Sequence, residues 1–523
     1  MESFETVLSS KLLWCTLICS SIYFYLKFVV YNYWRWQKIP HDEPSVPFGN
    51  LPLAYFYKNY PHGEIFRKSY EKFKDYPFYG LYLLHEPILV VNDPELIRLM
   101  FVKNFDNFVN RGSLSDESKD PLSCSLPRLR DEKWKRLRRK LSPTFTSGKL
   151  KQMYPLLEEI CQEMMVCLDS AIQTSKIVEM KEIVSRFTID CISSIAFGFN
   201  CNSLRDPDNE FHRYGSISSD FGKLFVLLSF YIPSLIRFLP VPEKRKKVQH
   251  FFTGLFKKMV ECRKNGRVTR NDFLNLLMQL MDHGRILENE GVDPGIKETD
   301  SEKFSDDSKL SMMEAVAQAV IFFSAGQETT ASAISCCLFE LATHQEIQEK
   351  LRQELTEAFD SPEGLKYEKI FEMKYLDMVL CETLRKHPGA PVLNRICKKD
   401  FDIPGSNFRI SKGLRIIIPI NGIHMDPIMF PDPEKFDPTR FLPEKRAERH
   451  PFSYLPFGEG PRHCIGKRLG VLKPKIALCY LLKNFKFFTC ELTPTRISYL
   501  NKSFVQVPSE KIYLQVEKIG HPT

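Results

Sequence analysis

The chain has 523 residues, of which 43% are hydrophobic and 26% charged, an ordinary globular composition too long for one small core. Its formal charge of +9 is modest for the length and fits a membrane surface or an acidic protein partner as readily as nucleic acid. Fifteen cysteines, an odd number with no CxxC pair, exclude a disulfide scaffold and read as mostly reduced core thiols in a reducing compartment.

Residues 12–34 form a mostly apolar run interrupted by Lys27, and about 20 helical residues cross a bilayer core. Glu2 and Glu5 before it, and the bulky basic YNYWRWQK around its end, argue against a cleaved signal peptide. Arg35 and Lys38 place the following chain on the cytosolic side. We read residues 1–35 as an uncleaved signal anchor with Tyr and Trp at the membrane interface. Pro40, Pro44, Pro47 and Pro52 then predict a stiff hinge over 36–52, ahead of a body spanning 53–523.

Strand-like runs, FYGLYLL and PILVV, occupy the start of 78–110, and Asp93 and Pro94 make a helix N-cap and first turn. The basic stretch DEKWKRLRRK at 131–140 has no nucleic-acid recognition fold around it, so no nucleic acid is expected as a partner. Trp134 and Arg138 share one helix face, where an indole N–H and a guanidinium suit a carboxylate or phosphate. The other basic residues form a solvated face or dock an acidic partner. Apolar spacing is helical from about 130 to 200. The stretch 223–242 fits core packing and a membrane-dipping segment equally, and the polar 282–309 predicts a long exposed loop.

From Leu310 to His344 the chain lacks proline and is apolar on nearly every face, predicting a buried helix roughly 50 Å long. Glu314, Glu328 and Glu340 divide it into pieces too short for a second membrane span. Its AGQETT segment, 325–330, sets an acid beside a threonine, and a buried acid is costly unless paired or solvated. Either Thr329 bonds back to the Ala325 carbonyl, or the helix loosens there to admit small molecules and a proton relay. Further on, Glu382 and Arg385 lie three apart on a helix ended by Pro388, and Arg440 sits in a proline-flanked turn. One glutamate shared by both arginines would lock an irregular segment. Short strands are expected at 401–420, and a proline-rich, poorly periodic stretch at 426–462.

The segment PFGEGPRHCIGKR, 456–468, sets Cys464 at an expected helix start, where unsatisfied N–H groups favour a thiolate. Gly458 and Gly460 permit tight backbone turns, Gly466 leaves room on the helix side, Phe457 can shield the sulfur, and Arg462 can reach an anionic edge of whatever the sulfur binds. With no second cysteine or histidine at ligand spacing, zinc is disfavoured. A single axial thiolate is one way proteins hold haem iron.

The FxxGxRxCxG pattern of Phe457, Gly460, Arg462, Cys464 and Gly466 follows AGxET at 325–329, ExxR at 382–385 and PxRF at 438–441. Together they resemble the cytochrome P450 family over essentially the whole chain beyond the hinge, most closely the microsomal, animal xenobiotic- and lipid-oxidising members. The resemblance implies a mainly α fold with small β-sheets, in a single large haem-binding domain behind the membrane anchor. It implies haem b (iron protoporphyrin IX) with Cys464 as axial ligand, and Thr329 and Glu328 in oxygen binding and proton delivery. Trp134, Arg138, Arg395 and Arg462 match positions that hold the haem propionates, with Arg111 as a further candidate, and Glu382, Arg385 and Arg440 form a structural triad.

The implied activity is monooxygenation of a lipophilic small molecule at the endoplasmic reticulum membrane, on its cytosolic side. Electrons would come from NADPH-cytochrome P450 reductase, with cytochrome b5 as an optional partner. Two alternatives are a haem-thiolate isomerase or dehydratase that needs no O2, and a non-catalytic membrane-anchored haem or lipid binder; Glu328 and Thr329 favour the monooxygenase. Residues 111–127, 223–242, Phe322, Phe323 and Val392 are expected to shape the substrate pocket. One departure from the family pattern is Pro474, inside the helix after the cysteine, which predicts a kinked but intact helix eased by Gly470.

Overall fold

Helix α1 (Glu2–Phe28) carries exposed Leu12, Leu13, Trp14, Leu17 and Ile18. The stretch Lys11–Trp36 is long and apolar enough to cross a membrane, and its most apolar part buries nothing against the rest of the protein. The computed structural model describes residues 2–112, 116–218, 222–231, 235, 238–266, 270, 272–286, 309–362 and 364–520. Most of the polar loop expected at 282–309, and parts of the 111–127 and 223–242 stretches, lie outside them.

The packed body begins earlier than the proline pattern implies. Tyr31 and Trp34, read from the sequence as interfacial, are buried in protein, Trp34 completely. The Trp34 indole N–H donates to the Leu81 carbonyl at 3.0 Å, and its backbone N–H to the Tyr82 hydroxyl at 3.0 Å. Its ring lies on Gly80, where a Cβ would collide with it. The prolines do not hold a free spacer either: the Asp42 N–H donates to the Gly80 carbonyl, and the Asn50 N–H to the Tyr82 carbonyl at 2.8 Å. Tryptophan has one apolar body and one polar handle, and a sheet face with a free carbonyl satisfies both.

That sheet contains β1 (Phe78–Leu83) and β2 (Glu86–Val91). Among the helices that follow are α2 (Asp131–Leu141), α3 (Ser147–Thr174) and, after the short strand β3 (Ile177–Glu179), α4 (Met180–Ala196). Next come α5 (Met312–Thr343) and α6 (Lys374–Lys386), strands β4 (Leu393–Ile396) and β5 (Arg415–Ile418), helix α7 (Lys467–Asn484), and strands β6 (Phe485–Phe488) and β7 (Tyr513–Lys518). The first sheet has the order β1-β2-β5-β4, with β2 and β5 parallel; the second is β3-β7-β6. Leu89, Val91, Ile416 and Ile418 pack on one face of the first sheet and Ile88, Val90 and Ile417 on the other, which explains their unbroken apolar runs. The architecture is thus mainly helical, with small sheets near both ends of the chain.

Helix α5 runs through the principal core, packed most extensively against α4 and also against α7. Ser311 and Glu314 cap it reciprocally: the Glu314 N–H donates to Ser311 Oγ at 3.2 Å, and the Ser311 N–H to Glu314 Oε2 at 2.8 Å. Several of the chain's 41 phenylalanines collect beside it, with ring centroids 5.1 Å apart in both Phe252–Phe323 and Phe211–Phe323. Helix α7 continues through Pro474, intact as expected. Gly470 has another use, since the Phe457 ring occupies the place of its missing side chain, 3.2 Å from where a Cβ would stand.

Glu382 and Arg385 on α6 are fully buried and paired in bidentate fashion at 2.7 and 2.8 Å. Arg440 Nε approaches the same carboxylate at 3.4 Å. Arg385 also donates to the carbonyls of His424 at 2.9 Å and Pro433 at 2.7 Å, and Arg440 to those of Pro431 and Asp432. The proline-rich 424–440 segment is therefore held by side chains in place of a backbone ladder. It leads directly into the cysteine loop.

Candidate functional site

The loop carrying Cys464 is shaped by two left-handed glycines, Gly458 (φ +66°) and Gly460 (φ +76°). A Cβ at Gly460 would also strike the Phe101 carbonyl, so glycine is required there twice over. The Cys464 N–H donates to the Phe457 carbonyl at 2.9 Å, and α7 starts three residues after the cysteine with Gly466 as its N-cap. Beside Gly466 the space is open, since a Cβ there would meet nothing within 4 Å.

The electrostatics of Cys464 differ from the expectation of a thiolate favoured by the helix start. Burial raises its thiol pKa; the Gly466 N–H, Arg111, Arg138 and Lys467 oppose that effect without overcoming it. The residue nevertheless has exposed surface. A cation bound at the sulfur would act in the same direction as these groups and favour the thiolate.

Around it the fold gathers arginines from three separate parts of the chain. Arg111 Nη2 donates to the Arg462 carbonyl at 2.8 Å, and Arg138 Nη1, from α2, to the His463 carbonyl at 3.1 Å. Arg462 stacks on Trp134, 4.7 Å from the ring centroid, and donates to the Leu129 carbonyl. Arg395, from β4, stacks on Phe101 at 4.1 Å. Nitrogen atoms of Arg111 (Nε), Arg395 (Nε) and Arg462 (Nε and Nη1) are buried without hydrogen-bond partners. Burial, then the charges of Arg111 and Arg462, push the Arg395 pKa well down; burial, then Arg111, lowers that of Arg462 to about 9. Asp131 draws on Arg462 but is itself engaged by Lys398 at 2.6 Å.

Several buried guanidinium groups with unspent donors beside a lone cysteine make a receptor for a ligand with more than one negative charge. Haem fits these residues: its iron would take one thiolate, and its two propionates would take the free guanidinium donors. Among the residues expected to hold it, Arg111, Trp134, Arg138, Arg395, Arg462 and Gly466 are brought together around Cys464. Phe457 packs on Gly470 of α7 and joins Val471, Ala333, Leu380 and Leu384.

Glu328 and Thr329 stand on α5, and among the described residues no hydrogen bond or ion pair links either to the cysteine loop. Thr329 Oγ1 donates to the Ala325 carbonyl at 2.6 Å, the local bond weighed from the sequence. Ala325 is nonetheless exposed within this otherwise buried helix, so the turn borders open space. Glu328, 8% exposed, lies 3.6 Å from Lys181 Nζ on α4, with its Oε1 lacking a hydrogen bond. Lys181 was not legible as its partner: it opens a helix more than a hundred residues away, and no spacing connects the two. Gly326 has a packing role, since a Cβ there would come 2.9 Å from Ile192 Cδ1.

A cavity of about 840 Å3 lies between the 116–128 and 222–245 segments. Leu224, Phe225, Leu228 and Leu239 supply apolar lining, and Arg245 pairs with Asp120 at 2.7 Å at its polar end. Two stretches expected to shape a pocket meet here, whereas Phe322, Phe323, Val392 and Cys464 are not among its walls.

The family model described as Cytochrome P450 matches residues 41–516. Cytochrome P450 6a2 of Drosophila melanogaster is 37% identical over 97% of this chain and 99% of the relative. Cytochrome P450 6A1 of Musca domestica is 36% identical over 98% of each, and Cytochrome P450 6k1 of Blattella germanica 35% identical over 96% of each.

Proposed function

Because this chain belongs to the cytochrome P450 family it is a haem-thiolate monooxygenase, and we propose that it inserts one atom of O2 into a lipophilic small molecule using electrons from NADPH. The observation that carries the reading is the set of buried, unpartnered guanidinium nitrogens on Arg111, Arg395 and Arg462 beside Cys464. When bound, haem b supplies the reductive activation of O2 and the transfer of one oxygen atom to a C–H bond.

The chain's own residues have separable tasks. Cys464 would hold the iron as its thiolate, a form that the Gly466 N–H and the charges of Arg111 and Arg138 favour against the effect of burial. Arg111, Arg395 and Arg462, assisted by Arg138 and Trp134, would hold the propionates. Glu328, whose Oε1 accepts no hydrogen bond and lies 3.6 Å from Lys181 Nζ, and the Thr329 hydroxyl, which donates to the Ala325 carbonyl, would relay protons from this turn of α5. The apolar cavity wall and the buried α5 core exclude water and select lipophilic substrates.

In this proposal residues 1–35 anchor the enzyme in the endoplasmic reticulum membrane, with the haem domain 53–523 on the cytosolic side. Exposed Leu224, Leu235, Phe238 (82% exposed) and Leu239 support a second membrane contact beside the cavity. NADPH-cytochrome P450 reductase delivers the electrons, and cytochrome b5 is an optional donor. The test is turnover of a panel of lipophilic compounds under 18O2, with full-length protein in membranes. One 18O atom per product, with strict dependence on NADPH and reductase, is expected. Product formed without O2 or without reductase would replace the reading with an isomerase or dehydratase.

A further inference from the structure

Lys473 is a lysine in the wrong place for a lysine. It lies on α7 with 1% of its surface exposed, and among the described residues no carboxylate comes within ion-pair distance. Among the described residues its side chain makes one hydrogen bond, from Nζ to the Gly326 carbonyl on α5, at 2.5 Å. A Cβ at Gly326 would stand 3.4 Å from that Nζ and closer still to Ile192, so the glycine lets both side chains reach the helix backbone. Gly326 adjoins Ala325, whose carbonyl accepts from Thr329, and lies two residues before Glu328.

We propose that Lys473 is a positioning residue that ties the helix following Cys464 to the turn of α5 presenting Glu328 and Thr329. In an α-helix the Gly326 carbonyl also accepts the Thr330 N–H, so a charged donor on the same oxygen draws density from that bond and fixes the carbonyl's tilt. An apolar side chain would fill the same space without a desolvated cation, so packing alone does not account for a lysine here. The inference rests on the proton-handling role assigned to that turn.

Burial lowers the Lys473 pKa to about 8, with Cys191 acting in the opposite direction. The titratable group that acts on this point is Cys191 on α4, with Asp190 and, from α3, Cys161 behind it; Glu328, two residues along α5 from Gly326, is held by Lys181. The tie is therefore strong at neutral pH and weakens above about pH 8.

The test is amide hydrogen exchange over residues 324–332 in the full-length holoprotein, for wild type, Lys473→Met and Lys473→Gln. Lys473→Met should exchange at least tenfold faster there, with residues 315–322 unchanged, and should release at least threefold more peroxide per NADPH consumed. Lys473→Gln, which keeps an N–H donor, should exchange more slowly than Lys473→Met. Equal exchange in wild type and Lys473→Met overturns the proposal, as does faster exchange with an unchanged product-to-peroxide ratio. Identical behaviour of the two variants assigns the effect to packing and also overturns it. Should Lys473→Met fail to fold, Lys473→Gln against wild type decides: faster exchange over 324–332 in the variant, with 315–322 unchanged, is expected, and equal exchange contradicts the proposal. The monooxygenase reading fails separately, if wild type shows no reductase-dependent product.

Discussion

At the scale of single residues, the site is built by burying charge without completing its hydrogen bonds. Arg395 and Arg462 hold donors with no protein acceptor, whereas Arg385, equally buried, is saturated by Glu382 and two carbonyls. That contrast separates a binding arginine from a structural one, and no sequence spacing reveals it. His424 shows the structural case with a titratable group. Its Nε2 accepts the Leu455 N–H at 2.8 Å, which leaves Nδ1 to donate to the Arg385 carbonyl at 3.2 Å. Burial, then the charge of Arg385, hold its pKa down to about 3. In the unfolded chain the imidazole titrates near 6.5. Between those values the unfolded state binds the extra proton, so stability is complete above pH 6.5 and falls as pH drops toward 3. The slope is at most about 1.4 kcal/mol per pH unit. Denaturant unfolding at pH 7, 6 and 5 should show this fall in wild type and a shallower one in His424→Gln. Equal slopes would mean that His424 is not held neutral.

At the scale of elements, periodicity and breakers carry most of the information. The reading of 310–344 as one buried helix differs from the observed Met312–Thr343 by only a residue or two at each end, because no proline or glycine pair interrupts it. Its start carries S-x-x-E at Ser311 and Glu314, a capping signal that the reading from apolar pattern alone did not use. Ser311→Ala should cost about 1 kcal/mol, read as a lowered denaturation midpoint; no change would show that the first turn is held by tertiary contacts alone. Glycines were harder to interpret. Gly326 and Gly470 looked like places where a helix yields, yet each makes room for a side chain from elsewhere, Ile192 with Lys473 in one case and Phe457 in the other. Contacts between segments far apart in sequence leave no trace in local composition.

At the scale of the molecule, chain order in sequence and position in space agree for the core and diverge at the anchor. The motifs from AGxET to the cysteine loop are scattered over more than a hundred residues, and the fold brings the arginines and Cys464 together while Glu328 and Thr329 remain on α5. The anchor is less separable than the proline pattern implied, since Tyr31 and Trp34 belong to the packed body. A chain beginning at Val30 should therefore keep the wild-type denaturation midpoint once released from the membrane. One beginning at Arg35 should lose about 3–5 kcal/mol, the cost of emptying a buried tryptophan site. Equal midpoints for the two truncations would place the boundary where the prolines suggested.

The most direct test of haem-thiolate chemistry at Cys464 is the reduced carbon monoxide difference spectrum of the full chain, alongside Cys464→His. Wild type should give the red-shifted Soret band of thiolate-ligated haem, and the variant a band at the shorter wavelength of imidazole ligation. A short-wavelength band from wild type, or folded protein that retains no haem, would contradict the assignment of Cys464 and of the arginine cluster that surrounds it.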